Sequence, residues 1–273
     1  HVCEICGEKD EGQAHTYGDD QTCDVCGYLR ECIITFDANE GSVDTTSTKT
    51  ENGKLPNLPT PTREGYDFTG WYLDAALTQP ITSLTLEADT TVYAGWRIRN
   101  PFVDVAEKDY FCDAVLWGVG NGVVKGMDET HFEPETVCTR AQALTFLWRA
   151  NGMPQPKTTT NPFVDVDASA YYYDAVLWGV ENGIVKGMDE THFEPDTACS
   201  RAHALTFLWR AKGMPQASGT TFADVPANAY YAQAVAWGVE NGIVKGMDET
   251  HFEPDTLCER AHAVTFLWRA YAN

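Results

Sequence analysis

Lys125-Gly126-Met127-Asp128-Glu129-Thr130-His131-Phe132-Glu133-Pro134 occurs three times without a change, again at Lys186 to Pro195 and at Lys245 to Pro254. A ten-residue loop copied letter for letter, each time between helix-like stretches, marks one structural unit repeated in tandem and packed against its own copies. The copies begin at Phe102, Phe163 and Phe222, 61 and then 59 residues apart. The difference falls in the linkers 153–162 and 214–221, whose Pro, Thr, Ser, Gly and Lys read as exposed connections. Any function of this region is therefore expected in triplicate.

Within the first copy, Phe111, Ala114, Val115 and Gly118 fall at i, i+3, i+4 and i+7 and predict a helix that stops at Asn121-Gly122. Ala143, Phe146, Leu147 and Ala150 repeat that spacing and predict a second helix closed by Asn151-Gly152. Thr139 with Gln142 three residues later predicts a capping box, which weakens to Ser200 with His203 and Glu259 with His262 in the other copies. Helices of about three turns are marginal alone in water. Three helix-loop-helix units are thus expected to share one core.

Upstream the chain changes character twice. Cys3-x-x-Cys6-Gly7 and Cys23-x-x-Cys26-Gly27 form paired knuckles, a spacing that sets four thiolates for a tetrahedral zinc site in a zinc-ribbon-like segment, residues 1–31. His1 or His15 could replace one thiolate; the competing reading is two disulfides in an oxidising exterior, or unpaired thiols in a reducing one. Residues 32–98 hold β-branched and aromatic runs at Ile33 to Asp37, Leu55 to Leu58, Tyr66 to Leu73 and Thr90 to Trp96, and predict a small β domain. Its Tyr66, Phe68, Trp71, Tyr93 and Trp96 read as core rather than a sugar-stacking platform, because so small a domain needs its large aromatics for burial.

Two resemblances follow from these residues. Ile34-Thr35-Phe36-Asp37-Ala38-Asn39, Pro59 to Tyr72 and Thr91-Val92-Tyr93-Ala94-Gly95-Trp96 resemble the internalin B-repeat (Listeria-Bacteroides repeat) family, which implies a β-grasp-like spacer of secreted bacterial surface proteins without catalytic residues. Phe-x-Asp-Val, Trp-Gly-Val-x-Asn-Gly, Val-Lys-Gly-Met and Phe-x-Pro-x-Thr-x-Cys-x-Arg-Ala are similar to the S-layer homology (SLH) domain in its usual set of three, residues 102–153, 163–214 and 222–273. That resemblance implies an all-α pseudo-threefold spindle, with the first helices as a central bundle and the loops and second helices as outer prongs. It also implies grooves that bind the secondary cell wall polymer of Gram-positive bacteria, commonly a pyruvylated amino sugar, and so hold a parent protein on the wall.

The hallmark Thr-Arg-Ala-Glu of that family stands here as Thr139 to Gln142, Ser200 to His203 and Glu259 to His262, keeping the arginine and losing the glutamate. Arg140, Arg201 and Arg260 are suited to a pyruvyl carboxylate, which a guanidinium grips bidentately with help from the helix N-terminus; alternatively they pair with Asp104, Asp165 and Asp224. Replacing all three arginines is expected to abolish binding without unfolding. Gln142, His203 and His262 are candidate contacts, the histidines with a pH dependence. Trp117, Trp178 and Trp237 are candidate sugar platforms, and Lys125, Lys186 and Lys245 candidate second cations, against plainer readings as core and as solvated loop charge. Asp128, Glu129 and His131 and their copies read as a turn rather than a metal site. Cys138, Cys199 and Cys258 read as small buried hydrophobes, while a Cys112–Cys138 disulfide would be private to the first repeat.

Composition narrows the function further. The formal net charge is −21. The repeats contribute twelve Lys and Arg against 23 Asp and Glu, so neither half offers the basic face that nucleic acid needs. No run reaches the roughly 18 apolar residues of a membrane span. The start at His1 reads as a fragment or processed form. No nucleophile with a base, paired-carboxylate cleft or phosphate loop stands out, so a non-catalytic wall anchor at the cell surface is expected, with a protein-protein or self-assembly module as the alternative.

Overall fold

The computed structural model describes residues 22, 29–51, 53–81, 86, 88–219 and 222–272. Cys3, Cys6, Cys23 and Cys26, with the zinc they were expected to bind, lie outside these. The chain divides into two compact units, His1–Arg99 and Asn100–Asn273.

In the first unit, β1 (Ile33–Asp37), β2 (Ser47–Lys49), β3 (Tyr66–Tyr72) and β4 (Thr90–Ile98) form one sheet in the order β2-β1-β4-β3. β1 runs parallel to β4, and the other two pairings are antiparallel. Period-two alternation turns Ile34 and Phe36 of β1 inward, where they meet Trp71, Val92 and Ala94. Two expectations need correction. Leu55 to Leu58 is no strand: Pro56 lacks the N–H that a ladder requires, and Leu55 and Leu58 pack on the core as side chains instead. Of the aromatics, Trp71 is buried and Phe68 and Trp96 pack against it, but Tyr66 lies under the Arg63 guanidinium, 3.9 Å from its ring centroid, outside that cluster.

The second unit contains α1 (Cys112–Gly120), α2 (Arg140–Ala150), α3 (Tyr173–Glu181), α4 (Arg201–Ala211), α5 (Ala232–Glu240) and α6 (Arg260–Tyr271). Each first helix ends where Gly122, Gly183 or Gly242 takes φ 67°, a left-handed conformation that suits glycine. Thr139 and Gln142 form the expected capping box; Ser200 caps α4 without the reciprocal bond, and Glu259 makes no side-chain cap.

The packing reverses the expected roles of the helices. The second helices α2, α4 and α6 contact one another, whereas each first helix packs on the second helix of the preceding repeat: α3 on α2, α5 on α4 and α1 on α6. The reason lies in the side chains. α2 buries Arg140, Ala141, Ala143, Leu144, Thr145, Phe146 and Leu147, nearly its whole circumference, with the polar Arg140 and Thr145 satisfied by hydrogen bonds to carbonyls rather than by water. Small residues at Ala143, Ala204 and Ala263 let the three central helices approach around an apolar cavity of about 20 Å³, room for one water and far too small for a sugar.

Main-chain hydrogen bonds close the same circuit. The Cys138 amide donates to the Cys258 carbonyl (2.9 Å), Cys199 to Cys138 (2.8 Å) and Cys258 to Cys199 (2.7 Å). The first two amides of each second helix, normally without partners, donate to the loop of the next repeat: Arg140 to Thr197 and Ala141 to Pro195, Arg201 to Thr256 and Ala202 to Pro254, Arg260 to Thr136 and Ala261 to Pro134. One repeat's helix ends are thus satisfied by another's loop, with the first repeat's loop serving the third repeat's helix.

The repeated loop itself has little slack. Asp128 accepts the amides of Thr130 and His131 at 2.7 Å and turns the chain, as do Asp189 and Asp248 in their copies. A Cβ on Gly126 would lie 2.4 Å from the Asp128 carbonyl oxygen and 2.5 Å from the Phe102 ring. Gly126→Ala is therefore expected to cost about 2 kcal/mol by forced displacement of backbone, read as a lowered urea midpoint at unchanged slope. An unshifted midpoint would mean that the loop yields.

Candidate functional site

The conserved-looking element of each repeat, the arginine after the helix cap, is an internal strut. Arg140, Arg201 and Arg260 are 2%, 3% and 3% exposed. Each donates Nε to a phenylalanine carbonyl of the next repeat in the circuit: Arg140 to Phe193 (3.0 Å), Arg201 to Phe252 (3.2 Å) and Arg260 to Phe132 (2.9 Å). Arg201 and Arg260 add Nη2 to the carbonyls of Lys245 and Lys125 (3.1 and 2.7 Å). Each guanidinium also lies over the ring of the same phenylalanine, 4.9, 4.6 and 4.5 Å from its centroid.

The arginine-aspartate pairing set against ligand contact does not occur among the described residues. Asp104, Asp165 and Asp224 instead accept the two amides on the near side of the same loops, Phe132 and Glu133, Phe193 and Glu194, Phe252 and Glu253, at 2.9 and 2.7 Å in every copy. Loop amides go to the aspartate of their own repeat and loop carbonyls to the arginine of the preceding one. One further expectation falls with this geometry: the first two amides of each second helix are not free for a ligand beside the arginine, since the neighbouring loop takes them. The same struts lead us to expect that replacing the arginines harms the fold.

What the arrangement does create is two junctions at which all three repeats meet, and a third place related to them by the repeat. Beside the buried Arg140 stand His203 of the second repeat and Tyr230 of the third, whose rings stack with centroids 5.9 Å apart and planes 27° apart. Beside Arg201 stand His262 and Tyr110, stacked at 6.3 Å and 29°. Tyr171 takes the matching place ahead of α3, which packs on the helix that carries Gln142. Tyr110, Tyr171 and Tyr230 are 57%, 60% and 54% exposed, each wedged edge-on against its neighbour Phe111, Tyr172 or Tyr231 at 5.0 to 5.1 Å. Burial of the phenol and nearby acidic groups raise all three, Tyr230 to about 12 with help from Asp255. They remain hydroxyl donors at any ordinary pH. Sequence reading passed over them, although the aromatic doublets Tyr110-Phe111, Tyr171-Tyr172 and Tyr230-Tyr231 recur in register.

Comparison with known families decides the identity of these repeats. Residues 101–144, 162–205 and 221–264 match the S-layer homology domain, and residues 33–95 match the Listeria-Bacteroides repeat domain. The chain carries three tandem SLH domains. It is similar to the Surface-layer 125 kDa protein of Lysinibacillus sphaericus, 31% identical over 60% of this chain and 14% of that one. It is also similar to the S-layer protein sap of Bacillus anthracis, 28% identical over 61% of this chain and 20% of that protein. A third relative is the amylopullulanase of Thermoanaerobacterium thermosulfurigenes, 25% identical over 76% of this chain and 11% of the enzyme. The chain therefore spans only a fifth or less of the length of these relatives.

The remaining candidate residues of the SLH repeats fall into place around the junctions. Lys125, Lys186 and Lys245 are exposed and directly precede the loop glycine, so their charged ends are available while two of their carbonyls serve the arginines. Trp178 and Trp237 are buried and Trp117 partly so, which leaves the first-helix tryptophans as wall rather than sugar platform. The His131, His192 and His251 rings return to Asp128, Asp189 and Asp248 within 3.0 to 3.2 Å, and backbone amides lead the hydrogen bonds that bring those carboxyls down to about 2. Among the described residues there is no cluster of three or more metal-ligating side chains. Cys112 and Cys138 form no disulfide; burial pushes the Cys138 and Cys199 thiols up to about 12 and Cys258 well above its usual value, so these thiols are unreactive in the folded protein.

Proposed function

We propose that residues 100–273 are a non-catalytic anchor that holds a parent protein at the bacterial cell surface by binding anionic cell-wall carbohydrate at the three junctions. The observation that carries this reading is a buried guanidinium with no carboxylate in hydrogen-bond contact among the described residues, placed beside a half-exposed tyrosine. Buried cations are ordinarily paired. A carboxylate such as that of a pyruvylated sugar supplies the missing charge to the guanidinium's remaining donors, the tyrosine offers a ring face and a hydroxyl, and Lys125, Lys186 or Lys245 adds a mobile cation at the rim. The cyclic interlocking of the repeats supports a pseudo-threefold arrangement with three related sites. The domain family and the surface-layer proteins among the relatives support the cell-surface location, and among the described residues no helix is long and apolar enough to cross a membrane. The amylopullulanase, matched over 11% of its length, supports a tether that can sit beside a catalyst rather than be one.

Because the tyrosines are exposed, they test the reading without breaking the strut. Combined Tyr110→Ala, Tyr171→Ala and Tyr230→Ala substitution is expected to weaken co-sedimentation with purified wall sacculi at least about tenfold, while the protein still unfolds cooperatively at a somewhat lower temperature. Unchanged binding would sink the junctions as the site. The excess of acidic residues in the repeats, 23 against 12 basic, favours a second reading, a protein-protein or self-assembly module, since it repels an anionic polymer. Self-association in sedimentation velocity without wall material would favour that reading.

A further inference from the structure

The three junctions are not equivalent, and the difference sits at one position. Gln142 is committed to its own helix: its Oε1 accepts the Thr139 amide at 3.0 Å and closes the capping box. His203 and His262 occupy the same place in the other repeats and make no such bond. The Nδ1 atom of each is buried with no hydrogen-bond partner, and each ring lies against the exposed tyrosine of the next repeat.

The groups facing each imidazole can be named. His203 meets Tyr230 from the entry to α5, Arg140 from the head of α2, Asp255 from the loop before α6 and Arg210 on its own helix. His262 meets Tyr110 from the entry to α1, Arg201 from the head of α4 and its own cap residue Glu259, whose Oε2 is 3.8 Å from Nδ1. Each histidine therefore sits near a helix N-terminus and a buried guanidinium, two positive influences that oppose an imidazolium. Burial is the larger obstacle and the arginine adds to it; together they outweigh Asp255 at one site and Glu259 at the other, and hold both histidines below their usual value.

An anion entering the junction reverses that balance. We infer that His203 and His262 couple proton uptake to anion binding in two of the three junctions, so that the wall is gripped more tightly at mildly acidic pH while the Gln142 junction is indifferent. The inference rests on the wall-binding reading of the same junctions. Its sign follows from linkage: a bound carboxylate raises the histidine, so affinity climbs as pH falls through the value in the complex and levels off below the lower value in the free protein. Each unit by which the anion raises one histidine is worth about tenfold in affinity at that junction. Ordinary surface carboxylates, near 4, stay ionised above about pH 5 and contribute little in this window.

The test measures binding of the full chain to purified sacculi at about pH 5.5 and about pH 7.5 at fixed ionic strength, for the natural protein and for H203Q/H262Q. Glutamine is what the first repeat already carries at this position, and matched melting of the two proteins at neutral pH reports an intact fold. The natural protein is expected to bind about tenfold more tightly at the lower pH, and the double variant to change less than about twofold. Q142H, made separately, is expected to steepen the dependence. Binding that is present but equally steep in both proteins, or flat in the natural one, overturns the proton coupling and leaves wall binding standing. No binding to sacculi at either pH overturns the wall reading and this inference with it.

Discussion

Arg260→Ala is expected to destabilise residues 100–273 by about 4 kcal/mol, from two lost charge-assisted hydrogen bonds and the desolvated contact with the Phe132 ring. The effect is this large because the carbonyls of Phe132 and Lys125 lose their donors, and Arg260 is the strut that ties the last repeat to the first. Domains are stable by about 5–15 kcal/mol, so the single variant should remain folded but fragile, and the triple variant at Arg140, Arg201 and Arg260 should not fold. Urea unfolding followed by far-UV circular dichroism measures the first, and size-exclusion behaviour the second. Arg260→Lys keeps the charge but not the planar fork, and is expected to recover only part of the loss. A melting temperature for Arg260→Ala within a degree or two of the natural protein would show that the strut is dispensable. Loss of wall binding in an arginine variant is informative only when the fold is shown to survive, which is why the exposed tyrosines are the better probes.

Deletion of residues 222–273 is expected to cost the remaining repeats their cooperative fold, not merely one site. α1 loses α6, on which it packs; the carbonyls of Pro134 and Thr136 lose the amides of Ala261 and Arg260; and the Cys138 amide loses the Cys258 carbonyl. Each of the two junctions with a stacked histidine draws on all three repeats, so neither survives. Calorimetry of residues 100–273 should show one transition with equal calorimetric and van't Hoff enthalpies, whereas residues 100–214 should show none. Cys138 and Cys199, unreactive when buried, should then modify readily with a thiol reagent at neutral pH. Cooperative melting of residues 100–214 with protected thiols would show that two repeats suffice, and that the circuit is decoration rather than the source of stability.

Much of this was legible in the residues themselves. Local spacing and cap chemistry act over three or four positions, so Phe111 to Gly118 and Ala143 to Ala150 predict both helices of a repeat, Thr139 with Gln142 predicts the capping box, and the glycines predict the stops. Exact repetition of Lys125 to Pro134 establishes three like units with a shared core. The family resemblance carried by the same motifs points to the cell surface. None of these signals states which copy touches which. An apolar stripe has the same period whether it faces a first helix or a second, so the central position of α2, α4 and α6 emerges only from their burial on nearly all sides. Arg140, Arg201 and Arg260 look like ligand groups because a charged residue repeated three times suggests a binding site; only the closed circuit shows that each spans to the loop of another repeat, 51 to 128 positions away along the chain. The pairing of His203 with Tyr230, and of His262 with Tyr110, is likewise a product of tertiary closure. The sequence by itself determined the unit, its helices and its triplication, because those rest on short-range geometry; the tertiary structure alone decided which buried cation meets which exposed ring, because that depends on how three marginal units satisfy one another's unpaired backbone.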